Sequence, residues 1–374
     1  MDLSASATPA PSGVSFGPWL FGPRIDLAVF GGSALVALGL VAAARGLGLS
    51  PGPLPEWGWL VLVLGIDVAH VHSTLFRTYL DGEELRRHPY RYALVPLAVY
   101  LVGVALYAHG SLTFWRVLAY VALFHFVRQQ VGWVAVYRAR SSLRGGLDRI
   151  IDDGAVYLAT LYPVLHWHAN LPDTRFAWFL AGDFVDGSSL LEPWVGPVKW
   201  LWAGWLALFF ARQLAVGLSR GTWAVGKSVV VATTAAVWYV GIVATNSDFD
   251  FTVTNVIVHG VPYIALLWAY ARARRREAPS RLGSHIAGAG FGAFLSLLLL
   301  IAFLEEWAWD ELVWQERSWL FGDAGTTLGA VALALVVPLL ALPQATHYAL
   351  DGILWRRGDT RTRPAQRAAL GFEP

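Results

Sequence analysis

The chain has 374 residues, of which 56% are hydrophobic and 14% charged, and its formal net charge is +2. With a mean hydropathy of +0.49, it lacks the charge that a water-soluble protein of this length needs to cover its surface. It has no cysteine, which excludes disulfides, iron–sulfur clusters, thiolate ligands and thiol nucleophiles. Any metal must therefore be held by His, Asp, Glu, Tyr or Gln.

Repeated apolar runs of about 20 residues assign the chain to the polytopic membrane proteins. The 19 tryptophans fit this class, because Trp favours the membrane–water boundary. The predicted fold is all-α: a transmembrane helical bundle of about ten spans. Residues 1–25 are rich in Ala, Ser, Pro and Gly and read as a flexible cytoplasmic segment. No basic region precedes the first apolar run, so that helix is expected to stay as an anchor. The transmembrane domain covers 26–356, and 357–374 reads as a basic cytoplasmic tail.

The spans are predicted over 26–44, 57–78, 92–109, 112–137, 154–171, 198–218, 227–245, 252–270, 285–304 and 326–350. Every even-numbered span is followed by basic residues, as in RTYLDGEELRRHPYRY, YRARSSLRGGLDR, SRGTWAVGK, ARARRREAPSRLG and WRRGDTRTRPAQR. The opposite loops lean acidic, as in NSDFDF and EEWAWDELVWQERSW. Positive-inside then puts both termini in the cytoplasm, as an even count of spans requires, and points to the cytoplasmic (inner) membrane. The cations of ARARRR are expected chiefly to set topology and touch anionic headgroups. Residues 305–322 read either as an interfacial helix on the outer leaflet or as a plain connection. Residues 172–197 read either as a small cap or as a plain connection. Gly283, Gly288, Gly290 and Gly292 are expected to serve close helix packing.

Ionisable side chains inside spans are costly and default to a functional reading. Asp67, His70 and His72 lie in the second span, His125 in the fourth, His259 in the eighth and His347 in the tenth. Counted at 1.5 Å per residue from the basic span ends, His70, His125, His259 and His347 lie roughly 10–20 Å deep. That depth is compatible with one shared cluster. Helical spacing puts Asp67 on the face of His70, Arg128 and Gln129 on that of His125, Tyr263 on that of His259 and Asp351 on that of His347. His72 points nearly opposite to His70 and is left out. Asp67 with Arg128 also reads as a structural ion pair, and a lone intramembrane histidine as a helix–helix hydrogen bond. Pro262 and Pro343 fall close to His259 and His347, where a freed carbonyl or a bend would line a cavity. His166 and His168 lie beside Trp167 at an outer span end and read as interfacial.

Imidazoles with carboxylates and no sulfur suit iron, zinc, copper or manganese. The expected metal ligands are His70, His125, His259 and His347. Asp67, Arg128 and Tyr263 are the candidate catalytic groups, and Gln129 and Asp351 the candidate cofactor-binding ones. The expected function is an iron-dependent oxygenase, hydroxylase or desaturase, mono- or dinuclear and non-haem, acting on a lipid or isoprenoid. An electron donor is a further candidate partner, and no nucleic acid is expected. The stretches AHVHSTLFRTYLD and LFHFVRQQVGW resemble the membrane non-haem iron enzymes with cytoplasmic-side histidine clusters. The resemblance is closest to bacterial carotene-cleaving dioxygenases of the Brp/Blh type. It implies single histidines on separate helices holding one iron. The HxxxH and HxxHH boxes of fatty-acid desaturases are absent. A haem protein with paired axial histidines, a transporter with an intramembrane His/Asp site and a zinc hydrolase remain alternatives, the last without an HExxH motif.

Overall fold

The computed structural model describes residues 14–49, 52–141, 145–277, 282–323, 325–355 and 364–371. Apart from the paired stretches Ser15–Phe16 and Thr222–Trp223, its regular structure is helical. The long helices are α1 (Pro23–Gly46), α2 (Glu56–Arg77), α3 (Pro89–His109), α4 (Ser111–Arg140), α5 (Gly146–Ala169), α6 (Ser188–Arg220), α7 (Val225–Ala244), α8 (Asp248–Glu277) and α9 (Phe291–Trp314). Two shorter ones, α10 (Ala330–Leu340) and α11 (Leu342–Leu354), meet at a bend of 41°.

Seven of these helices are long and apolar enough to cross a membrane, or eight if α10 and α11 form one broken span. Each of the ten predicted spans coincides with a helix or with this bent pair. Those outside the apolar set are α4 and α5, whose length is sufficient but whose polar content is high: α4 carries His125, Arg128, Gln129 and Gln130, and α5 carries Asp148, Arg149, Asp152 and Asp153. Leucines and tryptophans of α6, among them Trp200, Leu201, Leu214 and Leu218, point outward. A water-soluble surface does not expose such a stripe, whereas a bilayer accommodates it. The chain is a multi-pass membrane protein.

Helix α8 is the central post. In its most apolar window 72% of residues are buried, against 11% for α3. Helices α1, α2 and α7 pack around it. Close approach is made possible by small residues. At Gly260 an added Cβ would lie 2.6 Å from Ile66 Cγ2 of α2. The backbone of α2 widens to a π-helix over Trp59–Val68, directly before His70. π-Helical turns often mark functional positions because they turn side chains out of the regular α register.

Several local expectations change. The predicted ninth span starts at Phe291, since Gly290 adopts a φ of +107° and separates it from the short helix Leu282–Gly288. Of the four glycines expected to serve packing, Gly283 lies against the Leu80 carbonyl and Gly288 against Arg275, but a Cβ at Gly290 or Gly292 would meet nothing within 4 Å. No separate interfacial helix begins at Glu305: α9 runs on to Trp314, and Glu305 is held inside by His72 at 2.7 Å. The segment after α5 does form a cap. Trp178 and Phe179 pack against Phe126 and Trp115 of α4, and Asp183 accepts from the backbone of Phe179 and Leu180.

The chain ends are tied in where they are described. In the segment read as flexible, the Leu20 and Phe21 amides donate to Asp26, which also accepts from the Tyr137 hydroxyl. Ser15–Phe16 pairs with Thr222–Trp223. In the tail, Pro364–Ala369 is a helix whose Gln366 bonds Arg77 and the Leu354 carbonyl. Residues 1–13, 356–363 and 372–374 of these terminal segments lie outside the described residues. Two cations of the basic span ends are not at a surface at all. Arg77 is buried against Glu84 at 2.8 Å, and Lys227 against Asp152 at 2.8 Å. Arg274 is tied to Asp81, Glu83 and Glu277 rather than left free for headgroups.

Candidate metal centre

The four helices expected to carry the centre bring their histidines to one point. His70 comes from α2, His125 from α4, His259 from α8 and His347 from α11. All four are buried, and one ligand nitrogen from each lies within 4.8 Å of the others. His259 Nε2 is 3.1 Å from His70 Nε2, and His347 Nε2 is 3.2 Å from His125 Nε2. The rings form a closed circuit, each edge-on to its neighbours, with centroids 4.7 Å (His70–His259), 5.1 Å (His259–His125), 4.7 Å (His125–His347) and 5.1 Å (His347–His70) apart. Four nitrogens bound tetrahedrally at 2.0–2.1 Å would stand roughly 3.3 Å from one another. The two closest pairs lie near that spacing.

Three of the four outer nitrogens face acceptors. His347 Nδ1 is 2.8 Å from Thr74 Oγ1. His70 Nδ1 is 3.5 Å from Asp67 Oδ1, and His125 Nδ1 is 3.7 Å from Asp351 Oδ2. The last two are too long for hydrogen bonds but within ion-pair reach. An Nδ1 proton directed at such an acceptor leaves the Nε2 lone pair facing inward. Lone pairs converging in a buried space repel unless a cation lies among them. The donor set therefore fits a small metal ion. His259 Nδ1 is buried with no hydrogen-bond partner among the described residues, and its ring is fixed by stacking on Phe126 at 3.5 Å and 7°.

The remaining expected residues fall in different places. Tyr263 turns its hydroxyl to Asp351 at 3.0 Å and Thr74 at 3.2 Å, bracing the two groups that hold His125 and His347. Gln129 donates to the His259 carbonyl at 3.0 Å, so it fixes backbone beside the centre. Arg128 does not pair with Asp67. Its guanidinium donates to the Tyr157 hydroxyl, while Asp67 faces His70. His72 points away and pairs with Glu305. His168 is bonded to Tyr120 and to the Val164 carbonyl, outside the centre. Pro262 sits within α8, which continues through it, and Pro343 opens α11 just after the bend.

Thr74 and Tyr348 are not singled out by the sequence, and Phe126 is so only as part of the LFHFVRQQVGW stretch. Thr74 follows His70 by four positions and so shares its face. Phe126 and Tyr348 adjoin cluster histidines in sequence; the Tyr348 ring lies 4.8 Å from that of His125. Glu305 carried a signal too, as an acid in an apolar helix.

A groove of about 1240 Å³ opens beside the centre between α3, α4 and α11. Its floor includes His125, Gln129, Tyr263, Tyr348 and Asp351, and its walls include Val102, Leu106, Val117, Val121 and Phe124. The centre is thus reachable from the apolar face of the bundle. Comparison of the chain with family models, curated proteins and solved structures finds no match.

Proposed function

We propose that this protein is an integral-membrane metal enzyme that oxidises a lipid or isoprenoid at a single non-haem iron held by His70, His125, His259 and His347. One observation carries the reading: four buried imidazoles from four helices present nitrogens to a common point, and one of them, His125, lines an apolar groove. An iron ion there would supply dioxygen activation, since imidazole suits iron and open positions permit oxygen chemistry. Asp67, Thr74 and Asp351 orient the imidazoles and raise their basicity. Tyr263 braces Thr74 and Asp351. Helix packing keeps the bulk of the centre dry, and the groove admits an apolar chain from the side of His125.

The geometry favours one small ion over a haem. A porphyrin must lie between two axial nitrogens, and here two further imidazoles occupy the space around each close pair. It favours one ion over two, because a single group of four ligands is found among the described residues. We further infer ten crossings of the cytoplasmic membrane with both termini inside, from the alternation of basic and acidic loops and a helix or bent pair at each predicted span.

Metal analysis and an absorption spectrum of detergent-purified protein test the reading. About one transition-metal ion per chain is expected, without the strong Soret band of a haem. His125→Ala or His347→Ala should strip the ion, and His168→Ala should retain it. Wild-type protein free of metal, or equal metal in all three variants, rejects the assignment. Metal-independent solute flux in proteoliposomes would favour a transporter.

A further inference from the structure

The groove contains a charge that its protein surroundings leave unmatched. Three arginines line it, Arg128, Arg138 and Arg149. Arg138 is neutralised by Asp153 at 2.6 Å, with Asp152 at 3.8 Å, and Arg149 by Asp153 at 3.3 Å. Arg128 has only the Tyr157 hydroxyl as a hydrogen-bond partner and no carboxylate within ion-pair distance among the described residues. It stands ten residues from Arg138 on α4, so it lies roughly 15 Å further along the axis, well away from the helix end. Tyr157 lies four residues beyond Asp153 on α5, roughly 6 Å further along the axis than the carboxylate that pairs with Arg138. The guanidinium is bonded across to a neighbouring helix, one turn beyond the level of the Arg138–Asp153 pair.

A guanidinium left without a counter-charge at membrane depth is costly. An anionic ligand removes that cost. Arg128 and Tyr157 together offer donors to one monoanionic group, and both line the groove. The walls beyond are apolar side chains of α3 and α4. His125 stands three residues from Arg128, about 4.5 Å along the same helix.

We propose that the groove binds a long-chain carboxylic acid, its carboxylate on Arg128 and Tyr157 and its chain along the α3–α4 wall. Carbons close to the carboxyl group then pass His125. What the centre does to those carbons rests on the metal-enzyme reading; the binding itself does not. The charge match selects an acid over a neutral hydrocarbon, and the single unmatched cation among the described lining residues selects a monoanion.

Competition binding on the full chain in detergent tests this, with a fluorescent fatty acid as tracer and palmitic acid, methyl palmitate and phosphatidylglycerol as competitors. Wild type should prefer palmitic acid to its methyl ester by at least about tenfold, the scale of a charge-assisted hydrogen bond. Arg128→Gln should abolish that preference with metal content unchanged, and Arg128→Lys should keep part of it. Val121→Trp, which fills the wall, should weaken acid and ester alike. Equal displacement by acid and ester, a preference that survives Arg128→Gln, or stronger displacement by phosphatidylglycerol would each overturn the proposal. Metal content is read on the same samples. Acid preference in a metal-free protein would sink the metal reading and leave this one standing.

Discussion

At the residue scale, the centre depends on groups that touch the imidazoles from outside as much as on the imidazoles themselves. Thr74 serves two partners, His347 Nδ1 and the Tyr263 hydroxyl. Thr74→Val keeps the shape and removes both bonds. Metal affinity should fall by about 10–100-fold, the usual effect of losing an outer partner of a ligating histidine; a metal titration of the apo-protein measures it. His72 and Glu305 give the contrasting case. They form a buried pair one turn away from the centre's own face. Glu305→Ala should lower stability by about 1–3 kcal/mol, the cost of a buried polar group left without its partner, while metal content holds. Thermal unfolding in detergent together with metal analysis separates the two effects. Metal loss in this variant would mean that His72 and Glu305 belong to the centre after all.

At the element scale, the position of the clustered histidines is set by how closely α2 and α8 approach. Gly260 packs on Ile66, and a Cβ there would also come within 3.6 Å of His70 Cβ. Gly260→Ala should push the two helices apart and spoil the site without touching a ligand. Gly292→Ala on α9 meets nothing within 4 Å and serves as control. Retention of full metal by Gly260→Ala would show that the bundle tolerates the shift. The end of the same helix pair near Arg77 and Tyr270 is held by Asp81, which caps Gly82–Arg87 and accepts from Tyr270 at 2.6 Å and Arg274 at 2.9 Å. Burial pushes the Asp81 carboxyl up, but the Arg274 and Tyr270 bonds outweigh it, so its pKa lies below the ordinary 3.8. A depressed folded value stabilises above the unfolded pKa and is lost as pH falls through the folded one. Asp81→Asn should therefore cost about 1–3 kcal/mol near neutrality, with the gap to wild type closing below about pH 4. A constant gap across that range would rule out the ionised carboxylate as its source.

At the scale of the whole molecule, the proposed orientation is open to direct test because the chain has no cysteine of its own. Arg87 and Asp186 are both exposed, on opposite sides of the inferred membrane. Asp186→Cys should react with an impermeant maleimide on intact cells, and Arg87→Cys only after permeabilisation. The reverse pattern would invert the topology, and equal labelling would contradict the separation. The bundle has a dense core around α8 and a lipid-facing rim of α3 and α6. The centre sits in the dense part, and the groove reaches it from the α3 side.

The sequence by itself determined the class of fold, the approximate helices and the four histidines. Those features are local: hydropathy over a window marks a helix, and an ionisable group at membrane depth is conspicuous within its own segment. Depth counted from basic helix ends was enough to make convergence of His70, His125, His259 and His347 plausible. Side-chain partners were beyond it. Periodicity gave Asp67 to His70 and Asp351 to His347, but the fold turns Asp351 to His125 and gives His347 to Thr74. Arg128 shares a helix face with His125, yet it bonds Tyr157 of the neighbouring α5. The rotation of each helix, the bend between α10 and α11 and the break at Gly290 arise from packing between segments far apart in the chain. A one-dimensional pattern carries the depth of a residue, but only the assembled bundle decides which neighbour it meets.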